Sequence, residues 1–421
     1  MEQVTQIQEA VHISDPPDDV SGWCPRTPEM PPGSYSVKVA TTIDELQCLR
    51  PIWKKWAVSL EADFDYFLYS VTRDSAVLRP CVITVYEGSV VRAMLIGCVI
   101  TRRAFVVVSF LNIPGPRERV LVIKKGARLG QPSAVIDGLL AAELLEIARS
   151  GSVDSLSLER ISLGSDLFLQ IQRLGGFLVK KRVLHVSLYS VLKLTVPHSG
   201  KVRRDVRRKV KRLDHAFPGQ VQLRCFAVRD ELNTALRDAM RVAVTTWQYY
   251  LYDGVGSTAQ TAEAFKFFTE QGWLRVYVLY IKQSPCAYLI GLLYNNTFYC
   301  QRPGYDPTFA RFSVGSLLTA LAFENLAAAG VQRVDLGEGG QEHNRRIGCD
   351  KSGEGTLHIC SPTLRGVWLS IFFGASGAVQ KCGRKARTTL RLDWLSRSWR
   401  QFVFSKWQSR QASARSDAQR V

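Results

Sequence analysis

Between residues 36 and 361 the chain runs twice through one succession of elements, and that repetition narrows the fold more than any other feature. In the first pass a helix over residues 41–59 precedes CVITVY, VVRAMLIGCVIT and AFVVVSFL, split by polar turns at Glu87-Gly88-Ser89 and Arg102-Arg103. β-branched runs with such punctuation predict a three-stranded meander. A helix from Ser133 to Gly151 and the strand VDSLSLERI complete the pass. In the second pass, helices over 200–213 and 230–250 precede LRVYVLYI, CAYLIGLLY and FYCQRPGY, with turns at Gln283-Ser284-Pro285 and Asn295-Asn296. A helix from Ser313 to Gly330 and the strand VQRVDLG follow. The two helices run 18 and 17 residues from serine to glycine, and Asp154 and Asp335 lie 21 and 22 residues after the opening serines. The simplest account is an α/β protein made of two copies of one unit, 36–192 and 193–361, each a mixed twisted sheet flanked by helices.

The flanks differ in kind. Residues 1–35 carry prolines at 16, 17, 25, 28, 31 and 32 with several acids, too little apolar surface to order a segment, so disorder is expected there. Residues 362–421 form a basic aromatic tail, with 12 Lys or Arg against Asp393 and Asp417 from Arg365 onward. The net charge is +18, and this tail together with KVRRDVRRKVKR at 201–212 holds nearly all of it. A body without its own excess argues against general nucleic-acid affinity and for two local anionic contacts.

In 201–212, Val202, Val206, Val210 and Leu213 line one stripe of a helix. The remaining face is either solvated or binds a phosphorylated acceptor or an anionic surface, with Arg204 and Arg208 as its contacts. In the tail, Trp368, Phe372, Phe373, Trp394, Trp399, Phe402 and Trp407 stand among cations. That mixture suits an interfacial helix at a membrane surface, with packing against the body as the competing reading.

The 10 cysteines form no CxxC pair and no zinc spacing, and most lie in apolar runs, as buried reduced thiols do. The first residues lack the basic-then-apolar order of a signal peptide. The best membrane candidate, Gly366 to Gln380, has 15 uncharged residues interrupted by glycines, short of the ~20 that span a bilayer. A soluble, cytoplasmic chain is expected, at most peripheral at the inner membrane surface.

Two segments can carry chemistry. At Arg311-Phe312-Ser313-Val314-Gly315-Ser316 a helix opens with small residues. Its unpaired N–H groups and positive dipole end suit a pyrophosphate, while Ser313 as a plain N-cap is the alternative. From Asp335 to Gly348 a strand ends in glycines and then presents Glu338, His343, Arg345 and Arg346, ionisable groups at a strand end where open α/β sheets place their sites, unless this is a solvated turn. Trp247, Tyr249, Tyr250 and Tyr252 either line an acceptor pocket or belong to the core.

In order along the chain, the basic helix at 201–212, Gly304-Tyr305-Asp306-Pro307, Ser313-Val314-Gly315 and Asp335-x-Gly337-x-Gly339 resemble the GNAT acyltransferase superfamily. The likeness is to its double-domain branch, which includes CelD-like polysaccharide-biosynthesis proteins and Fem-type aminoacyl ligases. Two departures are plain: His343-Asn344 stands where that branch has Tyr-Lys, and Ser313 stands where its first phosphate-loop glycine often is.

The resemblance implies transfer of an acetyl or other acyl group from coenzyme A to an amine or hydroxyl of a saccharide-type acceptor, in polysaccharide or envelope biosynthesis. Acyl-CoA is the cosubstrate, and neither a metal nor a covalent enzyme intermediate is required. The second domain would hold the donor, since the first has Leu158-Glu159-Arg160 where the second has its glycines. Arg311, Phe312, Ser313, Val314, Gly315 and Ser316 would bind it. His343 or Glu338 would act as base, Asp335 would orient substrate, and Tyr305, Arg345, Arg346, Arg204 and Arg208 would contact the acceptor. An aminoacyl-tRNA-dependent ligase and a non-catalytic binding protein are the alternatives.

Overall fold

The computed structural model describes residues 34–108, 111–174, 180–194, 200–227, 229–246, 259–337 and 350–375. The first half comprises β1 (Tyr35–Ala40), α1 (Ile43–Trp56), α2 (Phe64–Arg73), β2 (Val77–Glu87), β3 (Val90–Val108), β4 (Leu111–Ile123), β5 (Arg128–Gly130), α3 (Ala134–Arg149), β6 (Ser155–Ser162), α4 (Asp166–Arg173) and β7 (Lys180–Lys193). The second comprises α5 (Gly200–Ala216), β8 (Val221–Phe226), α6 (Arg229–Ala243), α7 (Ala259–Glu270), β9 (Leu274–Ile281), β10 (Ser284–Tyr294), β11 (Thr297–Tyr305), α8 (Val314–Ala328), β12 (Arg333–Asp335) and β13 (Asp350–Cys360). A further helix, α9, occupies 364–375.

The strands form one sheet in the order β1-β2-β3-β4-β6-β13-β7-β12-β11-β10-β9-β8, with β5 added beside β3. Its two parallel pairs are β4 with β6 and β11 with β12, each joined by a crossover helix, α3 or α8. Meander, helix and parallel strand therefore recur in both halves, the mixed α/β arrangement expected from the repeat. The halves also exchange strands. β13, late in the chain, pairs with β6 of the first half, and β7 of the first half pairs with β12 of the second.

β9 shows why its sequence is apolar throughout. Tyr277, Leu279 and Ile281 face the core beneath α8, while Val276, Val278 and Tyr280 face the one beneath α6, so both sides are buried. In α8, Val314, Leu317 and Leu318 are buried as the helical spacing predicts. In α5, Leu213 is buried and Val206 packs half-buried on the same core, but Val210 between them is exposed.

Other expectations need correction. Arg102-Arg103 is no turn, since β3 runs straight through it. Arg102 Nε reaches the buried Glu118 of β4 at 2.9 Å, so the charge that suggested a turn neutralises a carboxylate inside the sheet. The β9–β10 turn falls on Lys282-Gln283, both with positive φ, so it starts one residue before the expected Gln283-Ser284-Pro285 and shares only Gln283 with it. Asn295-Asn296 do form the β10–β11 turn, with φ 43 and 56. α7 and β1 lacked a recognisable signal, and Trp247, Tyr249, Tyr250 and Tyr252 lie outside the described residues. Cys48 and Cys225 are exposed, whereas Cys81, Cys286 and Cys360 are buried.

Candidate functional site at the junction of the halves

The site begins where β11 and β12 part. Their parallel pairing covers Thr297–Tyr299 against Arg333–Asp335, after which β11 continues to Tyr305 while β12 has ended. Among the described residues the two strands thus part in a wedge that points toward the start of α8. Gly304 lets β11 pass close to Tyr288, whose ring a Cβ there would meet at 2.4 Å. Asp306 caps the short 3₁₀ turn Pro307–Phe312 by accepting from the Thr308 N–H at 2.9 Å.

Ser313 then adopts the left-handed conformation, φ 55 and ψ 39, and its hydroxyl makes no capping bond. It therefore holds a glycine-like backbone at the N-cap position and leaves the first-turn N–H groups of α8 for another partner. Gly315 faces Tyr305, whose Cδ1 would lie 3.0 Å from an added Cβ. Arg311 and Arg212 both sit over the Phe312 ring, at 4.7 and 5.8 Å, so two guanidinium groups flank this helix start.

At the closed end of the wedge lies an ion cluster that joins the halves. Arg160, at the end of β6, bonds Asp335 through Nη2 and Glu354 of β13 through Nε, each at 3.1 Å. Its Nη1 is 4.0 Å from Glu61. Lys125, following β4, reaches Glu354 at 2.8 Å and Asp335 at 3.8 Å. Asp335 also accepts from the Gly337 N–H at 2.8 Å.

Glu61 belongs to the 3₁₀ turn Leu60–Ala62, which first-half residues anchor onto the β10–β11 hairpin. The Leu60 N–H donates to the Tyr299 hydroxyl at 3.3 Å, Tyr294 donates to Asp63 at 3.0 Å, and Asn295 donates to the Ala57 carbonyl at 3.2 Å. Leu60 itself is packed into the second-half core beneath α6.

Three carboxylates, Glu61, Asp335 and Glu354, meet Arg160 and Lys125 here, and Lys124 acts on Glu61 as a third cation. Burial pushes the Glu61 carboxyl above its ordinary value, a shift that Arg160 and Lys124 oppose and Asp335 reinforces. A quarter of its side chain still reaches solvent. Burial also raises the Tyr299 hydroxyl, with Glu61 and Asp335 adding to the effect. Burial works against the Arg160 charge, but Asp335, Glu61 and Glu354 outweigh it and keep the guanidinium protonated. Cys300, the next residue on β11, is pushed up to about 12, mainly by burial, so its thiol stays protonated.

The repeat explains one backbone detail. Arg160 lies two residues beyond Leu158, the last β6 residue paired with β4; Gly337 lies two residues beyond Asp335, the last β12 residue paired with β11. Both have positive φ, 57 and 66. Leu158, not Asp154, is therefore the counterpart of Asp335. Asp154 sits ahead of β6 and binds the backbone and guanidinium of Arg119 instead. The matching aspartate spacing in the sequence was a coincidence.

A cavity of about 540 Å³ opens on the first-half side of the cluster, lined in part by Lys125, Arg160, Glu354, Glu159, Ser162 and Ser165. Its size is within the range of small-molecule sites. Of the sequence-derived candidates, Tyr305 and the segment Arg311 to Ser316 come together at the α8 start, and Asp335 lies in the cluster. Arg204 and Arg208 are exposed on α5, where Arg208 is paired with Asp205 at 2.6 Å. Glu338, His343, Arg345 and Arg346 lie outside the described residues. Sequence reasoning missed Glu61, Lys125, Tyr299 and Glu354, which carry no motif and meet only through the fold.

Comparison with known proteins agrees with this architecture. The family model described as an acetyltransferase (GNAT) domain matches residues 200–345. No curated protein matches the sequence. Among solved structures, FemX is similar at 10% identity and a TM-score of 0.51, covering 72% of this chain and 93% of that one. A tandem GNAT protein from the clavulanic acid biosynthesis pathway is similar at 11% identity and TM-score 0.45, covering 78% and 99%. A GCN5-related N-acetyltransferase from Sphaerobacter thermophilus is similar at 11% and 0.39, covering 77% and 96%. Residues 200–345 match the acetyltransferase (GNAT) domain model, within a mixed α/β fold whose two halves repeat one arrangement of elements.

Proposed function

We propose that this protein moves an acetyl or other acyl group from a coenzyme A thioester onto an amine or hydroxyl of a saccharide-type acceptor, in the manner of the CelD-like branch. The observation that carries this reading is the wedge between β11 and β12, open toward a helix start with a glycine-like Ser313. The N–H groups of Val314, Gly315 and Ser316 would take the pyrophosphate, with Arg311 and Arg212 nearby as counter-charges. The thioester arm would run down the wedge to the ion cluster, and the acceptor would enter from the cavity beside Arg160.

Glu61 is the base in this reading. Its raised pKa keeps it closer to neutral proton-transfer work than an ordinary carboxylate. The acceptor nitrogen loses a proton to Glu61 and bonds to the acyl carbon, the carbon–sulfur bond breaks, and the thiolate leaves to be protonated. Asp335, held by Arg160 and Lys125, orients the acceptor. The protonated Cys300 thiol makes direct transfer the simpler route than a covalent relay. His343 and Glu338, which come after β12 in the sequence, are alternative bases, with Arg345 and Arg346 as acceptor contacts.

A second reading, a Fem-type ligase that takes its group from aminoacyl-tRNA, draws on the exposed cations of α5: Arg204, Arg207, Lys211 and Arg212. Thermal-shift titration with acetyl-, malonyl- and longer acyl-CoA and with aminoacyl-tRNA separates the two. A ligand for the native state present at about 100 times its Kd adds roughly 2.7 kcal/mol of apparent stability. A rise with an acyl-CoA and none with tRNA is expected. The reverse, with a steep salt dependence, would favour the ligase.

A further inference from the structure

The outer face of α9 is apolar where a surface helix is ordinarily polar. Leu364, Val367, Trp368 and Ile371 are 91, 45, 61 and 61% exposed, and their spacing of three, four and seven places them on one stripe. The helix is nevertheless fixed in place. Its opposite side buries Leu369 and Phe373 against Ala104 and Cys360, and the Phe373 ring lies 4.6 Å from that of His358. Phe372 fills the space over Gly115, where an added Cβ would come within 2.6 Å of the ring.

Cations stand beside the stripe. A cavity of about 480 Å³ runs between α9 and strands β3 and β4, lined by Arg117, Arg119, Arg365, Leu364 and Trp368 among others. The two acids in its lining are already engaged: Glu118 by Arg102 and Ser155, Asp154 by Arg119. Arg103 and Arg117 stand directly opposite each other across β3 and β4, both exposed, a repulsive pairing within the sheet. Among the described residues, Arg103, Arg117 and Arg365 have no acidic partner.

We propose that this face docks on an anionic lipid bilayer, with Leu364, Val367, Trp368 and Ile371 entering the headgroup–acyl boundary and the arginine-lined cavity receiving a lipid phosphate. The combination selects the occupant. A nucleic acid would satisfy the arginines but leave four large apolar side chains in water. A second copy in a two-fold contact would bury the stripe but bring Arg103, Arg117 and Arg365 against their own equivalents. A bilayer with anionic headgroups meets both needs, and Trp at the boundary is the side chain that such a surface favours. The chain continues from α9 into residues 376–421, whose Lys and Arg far outnumber Asp393 and Asp417. No described helix is long and apolar enough to cross a membrane, so the contact lies on the surface. This inference is independent of the acyl-transfer reading.

Flotation of the full chain with phosphatidylcholine vesicles, with and without phosphatidylglycerol, tests it. Binding is expected only where phosphatidylglycerol is present, and inorganic phosphate at the same charge concentration should not release it. Trp368→Glu with Ile371→Glu should lower the bound fraction about tenfold, as should Arg117→Glu with Arg365→Glu. All four positions are exposed, so thermal melting should be unchanged. Equal binding to neutral vesicles, release by inorganic phosphate, or binding indifferent to either pair would overturn the proposal. So would a dimer in light scattering that only the apolar pair dissolves.

Discussion

Replacing Arg160 with methionine is expected to cost about 3–5 kcal/mol of stability, the largest effect of any single substitution in the junction. The guanidinium is 14% exposed and serves two carboxylates, Asp335 and Glu354, that are 8 and 9% exposed. Without it those charges stay buried with Lys125 alone between them. Because Arg160 holds φ 57, Arg160→Gly also relieves a backbone that a side chain resists, and should be less damaging than methionine by about 1 kcal/mol. Adding Asp335→Asn and Glu354→Gln to Arg160→Met should recover much of the loss. Urea unfolding at neutral pH measures all three. A loss under ~1 kcal/mol for methionine, or a glycine variant less stable than it, would mean the cluster does not hold the halves together.

Glu61→Gln is expected to stabilise the protein while removing its activity. The folded-state pKa of Glu61 is raised from the ordinary 4.5, so the native state holds that proton over a window where the unfolded state has released it. The contribution of Glu61 to stability therefore falls as pH climbs from the ordinary carboxylate value to the raised one, and above it the ionised group is a cost. Glutamine removes that cost. The variant should exceed wild type in urea midpoint at pH 8, and the gap should close below pH 4.

If Glu61 takes the acceptor proton, turnover should fall by roughly 10²- to 10⁴-fold with acyl-CoA binding retained. The acidic limb of the wild-type pH–rate profile should lie above the ordinary carboxylate range and vanish in the variant. The groups facing Glu61 that set this limb are Arg160, Lys124, Lys125 and Asp335. Unchanged turnover would move the base to His343 or Glu338.

What the sequence disclosed was local. Alternating and continuous apolar runs located the meanders, and β9, LRVYVLYI, fell where its pattern put it because both of its faces are buried. The helix start at Ser313 was legible from its small residues, although the serine acts through its backbone rather than as a cap. The junction was not legible. Glu61, Lys125, Arg160, Tyr299, Asp335 and Glu354 are scattered over nearly 300 residues, and strand exchange between the halves brings them together. Charge gave a false signal once: Arg102-Arg103 read as a turn because nothing in the sequence announces the buried Glu118 beside it.

Calorimetric titration with acetyl-CoA, comparing the protein with its Gly315→Leu variant, tests the donor site most directly. A Cβ at 315 meets Tyr305 at 3.0 Å, so a leucine must crowd the helix start where the pyrophosphate is placed. Saturable binding by wild type, weakened about tenfold or more in the variant, is the predicted result, a difference of at least ~1.4 kcal/mol. Absence of heat with every acyl-CoA, or equal affinity in both proteins, would contradict the account.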